Sequence, residues 1–132
     1  MEYEYLGSDE ALEAYAEAVG CSAEQARDAL LNEAQLASAL ARPRNAASYE
    51  DADLARQAAT LFFGIAANHP FRDGNKRTAV AVLRTFLFIN AQTHTLSEDA
   101  LFDLAIKVAD GQSSVPEVEA VLRPAMIPDD ST

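Results

Sequence analysis

Apolar residues recur at three- and four-residue steps along almost the whole chain, and this helical period is the strongest constraint on its fold. Two stretches show it most fully. Over 49–67, Leu54, Ala58, Leu61, Phe62 and Ile65 form an apolar stripe that Ser48-Tyr49-Glu50-Asp51 can open. Over 76–90, Ala79, Val82, Leu83, Phe86 and Leu87 leave almost no polar face, with Asn75 as the expected cap. A helix that is apolar nearly all round belongs inside a domain, so these two are expected to form its central pair.

The remaining segments carry start and stop signals. Ser8 is expected to cap a helix over 9–19 that buries Leu12, Tyr15, Ala16 and Val19 and stops at a left-handed Gly20. Ser22-Ala23-Glu24-Gln25 is a capping-box pattern for a short helix. Asn32 can cap another that buries Leu36, Ala39 and Leu40 and ends near Ala41, ahead of Pro43. Ser97 can cap a helix over 98–110 closed by Gly111, and Ser114-Val115-Pro116-Glu117 is a capping box with proline in its first turn. Tyr3 to Leu6 reads as a short strand or an extended arm, and 127–132 as a frayed tail. Nothing else asks for a sheet, so the expected fold class is all-α. With 132 residues, 49% of them hydrophobic, the chain has the length and the apolar surface for a single domain with one core.

Composition then excludes several classes of function. A membrane span needs about eighteen or more consecutive apolar residues, and none is present. Met1-Glu2-Tyr3-Glu4-Tyr5 is acidic where a secretory leader is basic, so the expected location is the cytoplasm, with no membrane partner. Cys21 is the only cysteine, which rules out an intrachain disulfide and a multi-cysteine metal cluster. A net charge of −11 argues against direct nucleic-acid binding, which depends on neutralising phosphates with Lys and Arg. The positive charge is nevertheless concentrated: residues 42–84 hold seven bases and four acids, whereas 1–41 hold nine acids and one base. A local positive field is what an anionic substrate needs.

That field surrounds the polar link between the two apolar helices, His69-Pro70-Phe71-Arg72-Asp73-Gly74-Asn75-Lys76-Arg77. Asp73-Gly74-Asn75 is a turn signal running into a helix start, where the free backbone N–H groups of 74–77 converge and attract anions. Lys76 and Arg77 sit at the positive end of the helix dipole, an unfavourable place for cations unless something negative is bound. Together, Gly74, Asn75, Lys76 and Arg77 read as a phosphate cradle. Asp73 would be repelled by bound phosphates unless a divalent cation lay between them, and magnesium is the simplest choice. His69 has the side chain suited to take a proton from an incoming hydroxyl near neutrality. Phe71 is expected to point into the core and pin the loop.

The string H-P-F-R-D-G-N-K-R-T-A resembles the signature of the Fic/Doc superfamily, H-x-F-x-D/E-G/A-N-x-R, and is most similar to its death-on-curing (Doc) branch. The similarity extends over about 36–123, including Ala39 to Arg44; residues 1–35 are less typical. The resemblance implies a compact helical bundle in which His69 is the catalytic base, Asp73 holds Mg2+, and Gly74 to Arg77 hold the phosphates of ATP. Enzymes of the superfamily that transfer AMP usually have glycine where this chain has Lys76, and a second arginine where it has Val80. The Doc branch shares both departures and phosphorylates a threonine of the translation factor elongation factor Tu, arresting growth. The cis-inhibitory pattern S/T-x-x-x-E-G/N fits no window, since Ser113 and Glu117 have its spacing but Val118 follows. A separate antitoxin protein in trans is therefore expected. The alternatives are an AMP or nucleotidyl transferase using the same cradle and a non-catalytic antitoxin-binding module of the same fold. Hydrolysis at a metal fits poorly, because one His and one Asp fall short of a catalytic zinc set.

Overall fold

In the computed structural model, which describes residues 2–130, two helices form the centre as the apolar pattern requires. These are α4 (Leu54–Asn68) and α5 (Asn75–Ile89). Leu61, Phe62, Ile65, Val82, Leu83, Phe86 and Leu87 are fully buried, each contributing about 1.5–3 kcal/mol of apolar burial. Around the pair lie α1 (Ser8–Val19), α2 (Ala23–Ala29), α3 (Glu33–Glu50), α6 (Glu98–Ala109) and α7 (Val115–Leu122). Helix α3 packs along α4, α1 covers α5, and α6 and α7 close the remaining sides. The fold is all-α apart from one small ribbon.

The caps at Ser22, Asn32, Ser97 and Ser114 form as expected, each side chain accepting from an amide three residues on. In α1 the cap lies one residue early, at Gly7, and Ala11, Ala14 and Tyr15 face the core while Leu12, Ala16 and Val19 are only half-buried. The boundary between α3 and α4 departs further. Instead of stopping near Ala41, α3 runs through Pro43 to Glu50, because Pro43 and Ala46 are buried in the packing around α4. Tertiary burial here outweighs the roughly 3 kcal/mol that an interior proline costs. Ser48 is thus inside a helix rather than opening one. The break falls at Asp51, left-handed at φ 51°, and Asp53 caps α4 through the Arg56 amide.

Two three-residue strands were not expected. β1 (Gln92–His94) pairs antiparallel with β2 (Met126–Pro128), Thr93 opposite Ile127. Residues 127 and 128 are therefore held in a ladder rather than frayed, while 131 and 132 lie outside the described residues. Tyr3 to Leu6 form an extended arm. Asn90 at the end of α5 grips it, accepting from the Glu4 amide at 2.9 Å and donating to the Glu4 carbonyl at 3.0 Å.

Candidate active site

Helix α4 ends at Asn68, and the chain reverses through His69, which is left-handed at φ 50°, ψ 56°. This conformation costs a non-glycine residue about 1–2 kcal/mol and persists only where the surroundings impose it. The surroundings here are a set of clasps on the next three residues. The Pro70 carbonyl accepts from the amides of Leu31 (3.0 Å) and Asn32 (3.2 Å), and the Arg72 amide donates to the Ala29 carbonyl at 2.8 Å. Leu30 and Phe71 form an isolated antiparallel bridge, so the link between α2 and α3 is zipped to the loop. Phe71 is 2% exposed, as expected, and its ring stacks on Tyr15 of α1 with centroids 4.1 Å apart.

Asn75 departs from its expected part. It does not cap α5 but is the first residue of that helix, with Gly74 as the cap at φ 73°. Its buried side chain turns back to the loop, accepting from the Phe71 amide and donating to the Phe71 carbonyl. What remains for an anion at Asn75 is the main-chain N–H. The first bond of α5 runs from the Thr78 amide to the Gly74 carbonyl, so the amides of Asn75, Lys76 and Arg77 precede the helical ladder.

The loop therefore has a buried underside and a polar outer face. His69, Arg72, Asp73 and Arg77 are exposed and Lys76 is half-buried. One segment carries an imidazole, a carboxylate, three cations and a helix N-terminus, an arrangement suited to moving a group that travels as a phosphate ester. Asp73 is oriented by Tyr15, whose hydroxyl donates to Oδ1 at 3.0 Å. Burial, then the hydrogen bond and negative charge of Asp73, raise the Tyr15 pKa above its ordinary value. No group of three or more His, Cys, Asp or Glu suited to a metal occurs among the described residues. A single carboxylate is too small a set for zinc. It fits magnesium, which uses one or two carboxylates and takes its other ligands from phosphates and water.

Beside the loop runs a groove of about 1110 Å3 over the outer face of α5, lined by Arg77, Val80, Arg84 and Phe88 together with α1, β1 and α6. His94 of β1 also lines it; its Nδ1 is buried without a hydrogen-bond partner among the described residues. Burial, then the charge of Arg84, lowers the His94 pKa. Val80 is 3% exposed, so the turn of α5 after Arg77 presents an apolar contact rather than a second cation.

Sequence reasoning found the loop but not its supports. Tyr15 reads only as part of an apolar stripe, and nothing local marks the link between α2 and α3 as a partner of the loop. No helix of the described residues is long and apolar enough to cross a membrane. A search of curated proteins finds no match. The model of the Fic/DOC family does match, over residues 5–87, a span that includes the end of the arm, α1 to α4, the loop and α5 to Leu87. With more than half of its 132 residues matched, and the loop signature inside the match, the chain belongs to the Fic/DOC family.

Proposed function

We propose that this chain is a Doc-like enzyme that transfers the terminal phosphate of ATP to a serine or threonine hydroxyl of a translation factor. Members of its family are typically transferases of AMP or of phosphate. The observation that carries the reading is the clamped loop, which presents exposed His69 at one end and the N-terminus of α5 with Lys76 and Arg77 at the other. In this reading His69 takes the acceptor proton as the hydroxyl oxygen attacks the γ-phosphorus. The bond from that phosphorus to the β–γ bridging oxygen breaks, and ADP leaves. The amides of residues 75–77 and the two cations hold the phosphates in line, since positioning and charge stabilisation supply most of the catalysis in phosphoryl transfer. Asp73 would hold Mg2+, which when bound screens that carboxylate from the phosphate charge.

Terminal transfer is favoured over AMP transfer by Lys76 and Val80. Placing the α-phosphorus in line requires the cradle to grip the β- and γ-phosphates, and the buried valine offers them no charge. The acceptor that the family resemblance favours is elongation factor Tu, with arrest of translation in the cytoplasm as the result. Restraint would come from an antitoxin in trans. Glu117, the one glutamate at inhibitory spacing from a serine, is engaged in capping α7, where its Oε1 accepts from the Ser114 amide at 3.1 Å. Incubation of elongation factor Tu with the chain and doubly labelled ATP tests the reading. Label from the γ-phosphate should appear on the target, with a phosphate-sized mass gain. Label from the α-phosphate on the target would overturn it in favour of nucleotidyl transfer, and no modification at all would favour the non-catalytic module.

A further inference from the structure

We propose that Tyr15 is a positioning residue for Asp73, fixing one carboxylate oxygen so that the other faces the cation and phosphates in a single direction. The inference rests on the reading of Asp73 as the magnesium ligand. Tyr15 lies on α1, 58 residues before Asp73 in the chain, and is 3% exposed. Its ring has a packing role, stacked on Phe71 at 4.1 Å and 17°. Phenylalanine would fill that role as well, without a buried hydroxyl that must find a partner. The hydroxyl here meets an exposed loop carboxylate, Asp73 Oδ1, at 3.0 Å.

An aspartate on a solvent-facing turn otherwise samples several rotamers, and each visit away from the ligating one weakens a cation that demands near-ideal octahedral geometry. With Oδ1 held by a neutral donor, the carboxylate loses that freedom and leaves Oδ2 for the cation. The same helix sets the position of the turn. A Cβ at Gly74 would lie 2.8 Å from Val19 Cγ1 and 3.4 Å from Tyr15 Cε2, so α1 presses directly against the residue that caps α5. Ring, hydroxyl and helix surface thus tie the carboxylate and the phosphate cradle to one rigid element. Hydrogen bonds of this kind to metal-binding carboxylates are typically worth about 10–100-fold in metal affinity or activity.

Tyr15→Phe keeps the ring and removes only the hydroxyl. Calorimetric titration of the chain with ATP at graded free Mg2+ should show the Mg2+ needed for half-maximal enhancement rising about tenfold. Binding of ATP without metal should be unchanged, and the melting temperature should stay near that of the parent. Asp73→Asn in the same assay separates the two layers of the argument. If Asp73→Asn leaves the Mg2+ dependence unaltered, the reading of Asp73 fails. If Asp73→Asn alters it and Tyr15→Phe does not, that reading stands and Tyr15 is only a core residue. A second measurement needs no Tyr15 variant: with 13C at tyrosine Cζ, adding Mg2+ to the ATP-bound chain should shift the Tyr15 signal, and should not do so in Asp73→Asn. An unmoved Tyr15 signal in the parent chain overturns the proposal.

Discussion

Asn75 closes a two-bond clasp on the main chain of Phe71: its Oδ1 accepts from the Phe71 amide at 2.9 Å and its Nδ2 donates to the Phe71 carbonyl at 2.9 Å. Only an amide side chain of this length both accepts and donates there. Asn75→Asp keeps the acceptor but leaves the buried carbonyl without its donor, facing a negative oxygen. A loss of about 1–3 kcal/mol is expected in urea denaturation. An unchanged midpoint would show that the loop holds its shape without the clasp.

The clasp marks the limit of what the sequence discloses. The contiguous string His69 to Arg77 is visible because turn, cap and helix start are local signals, as are the caps at Ser22, Asn32, Ser97 and Ser114. Signals fail where partners are distant in sequence. Tyr15 meets Asp73 and Phe71 only after α1 folds back onto α5, and Leu30 meets Phe71 only when the link between α2 and α3 docks. Pro43 misleads for a related reason: its local cost is real, but burial of Pro43 and Ala46 in the packing around α4 outweighs it. The β1–β2 ribbon pairs three-residue segments more than thirty residues apart, too short for any period to show.

Gly74 and Gly111 give a controlled pair of substitutions, because both are left-handed, at φ 73° and 75°. A Cβ at Gly111 meets nothing within 4 Å, whereas one at Gly74 comes within 2.8 Å of Val19 Cγ1. Gly111→Ala is expected to cost only the left-handed strain, about 1–2 kcal/mol. Gly74→Ala should cost about 1–3 kcal/mol more, the usual range for overpacking. Equal losses in parallel urea titrations would mean that Val19 yields freely.

His69 is exposed, left-handed, and has no hydrogen bond or ion pair among the described residues. Its side chain therefore adds little to the packing of the fold. Glycine relieves about 1–2 kcal/mol of left-handed strain but adds roughly 0.4–1 kcal/mol of unfolded-state entropy. His69→Gly should accordingly melt no lower than the parent while losing phosphate transfer and growth arrest. A melting point several degrees lower would assign His69 a structural part, and persisting transfer would place the base elsewhere.

His94 should make the fold sensitive to mild acid. Its pKa in the folded chain lies below the ordinary 6.5, first because it is buried and second because of the charge of Arg84. As pH falls through 6.5, the unfolded chain takes up the proton before the folded one does. Over that window the unfolded state binds more protons, so stability rises with pH and is lost as pH falls toward the folded value. The contribution is present in full above 6.5, where the imidazole is neutral in both states. Acidic residues also titrate in this direction at lower pH, so the parent curve alone does not isolate the histidine. His94→Gln does, because it removes this titration and leaves the carboxylates in place. The melting temperature of the parent should fall more steeply between pH 7 and 5 than that of His94→Gln, with the two curves converging or crossing on the acid side. Parallel curves would show that His94 takes up its proton equally easily in the folded and unfolded chain, and that burial beside Arg84 does not hold it neutral.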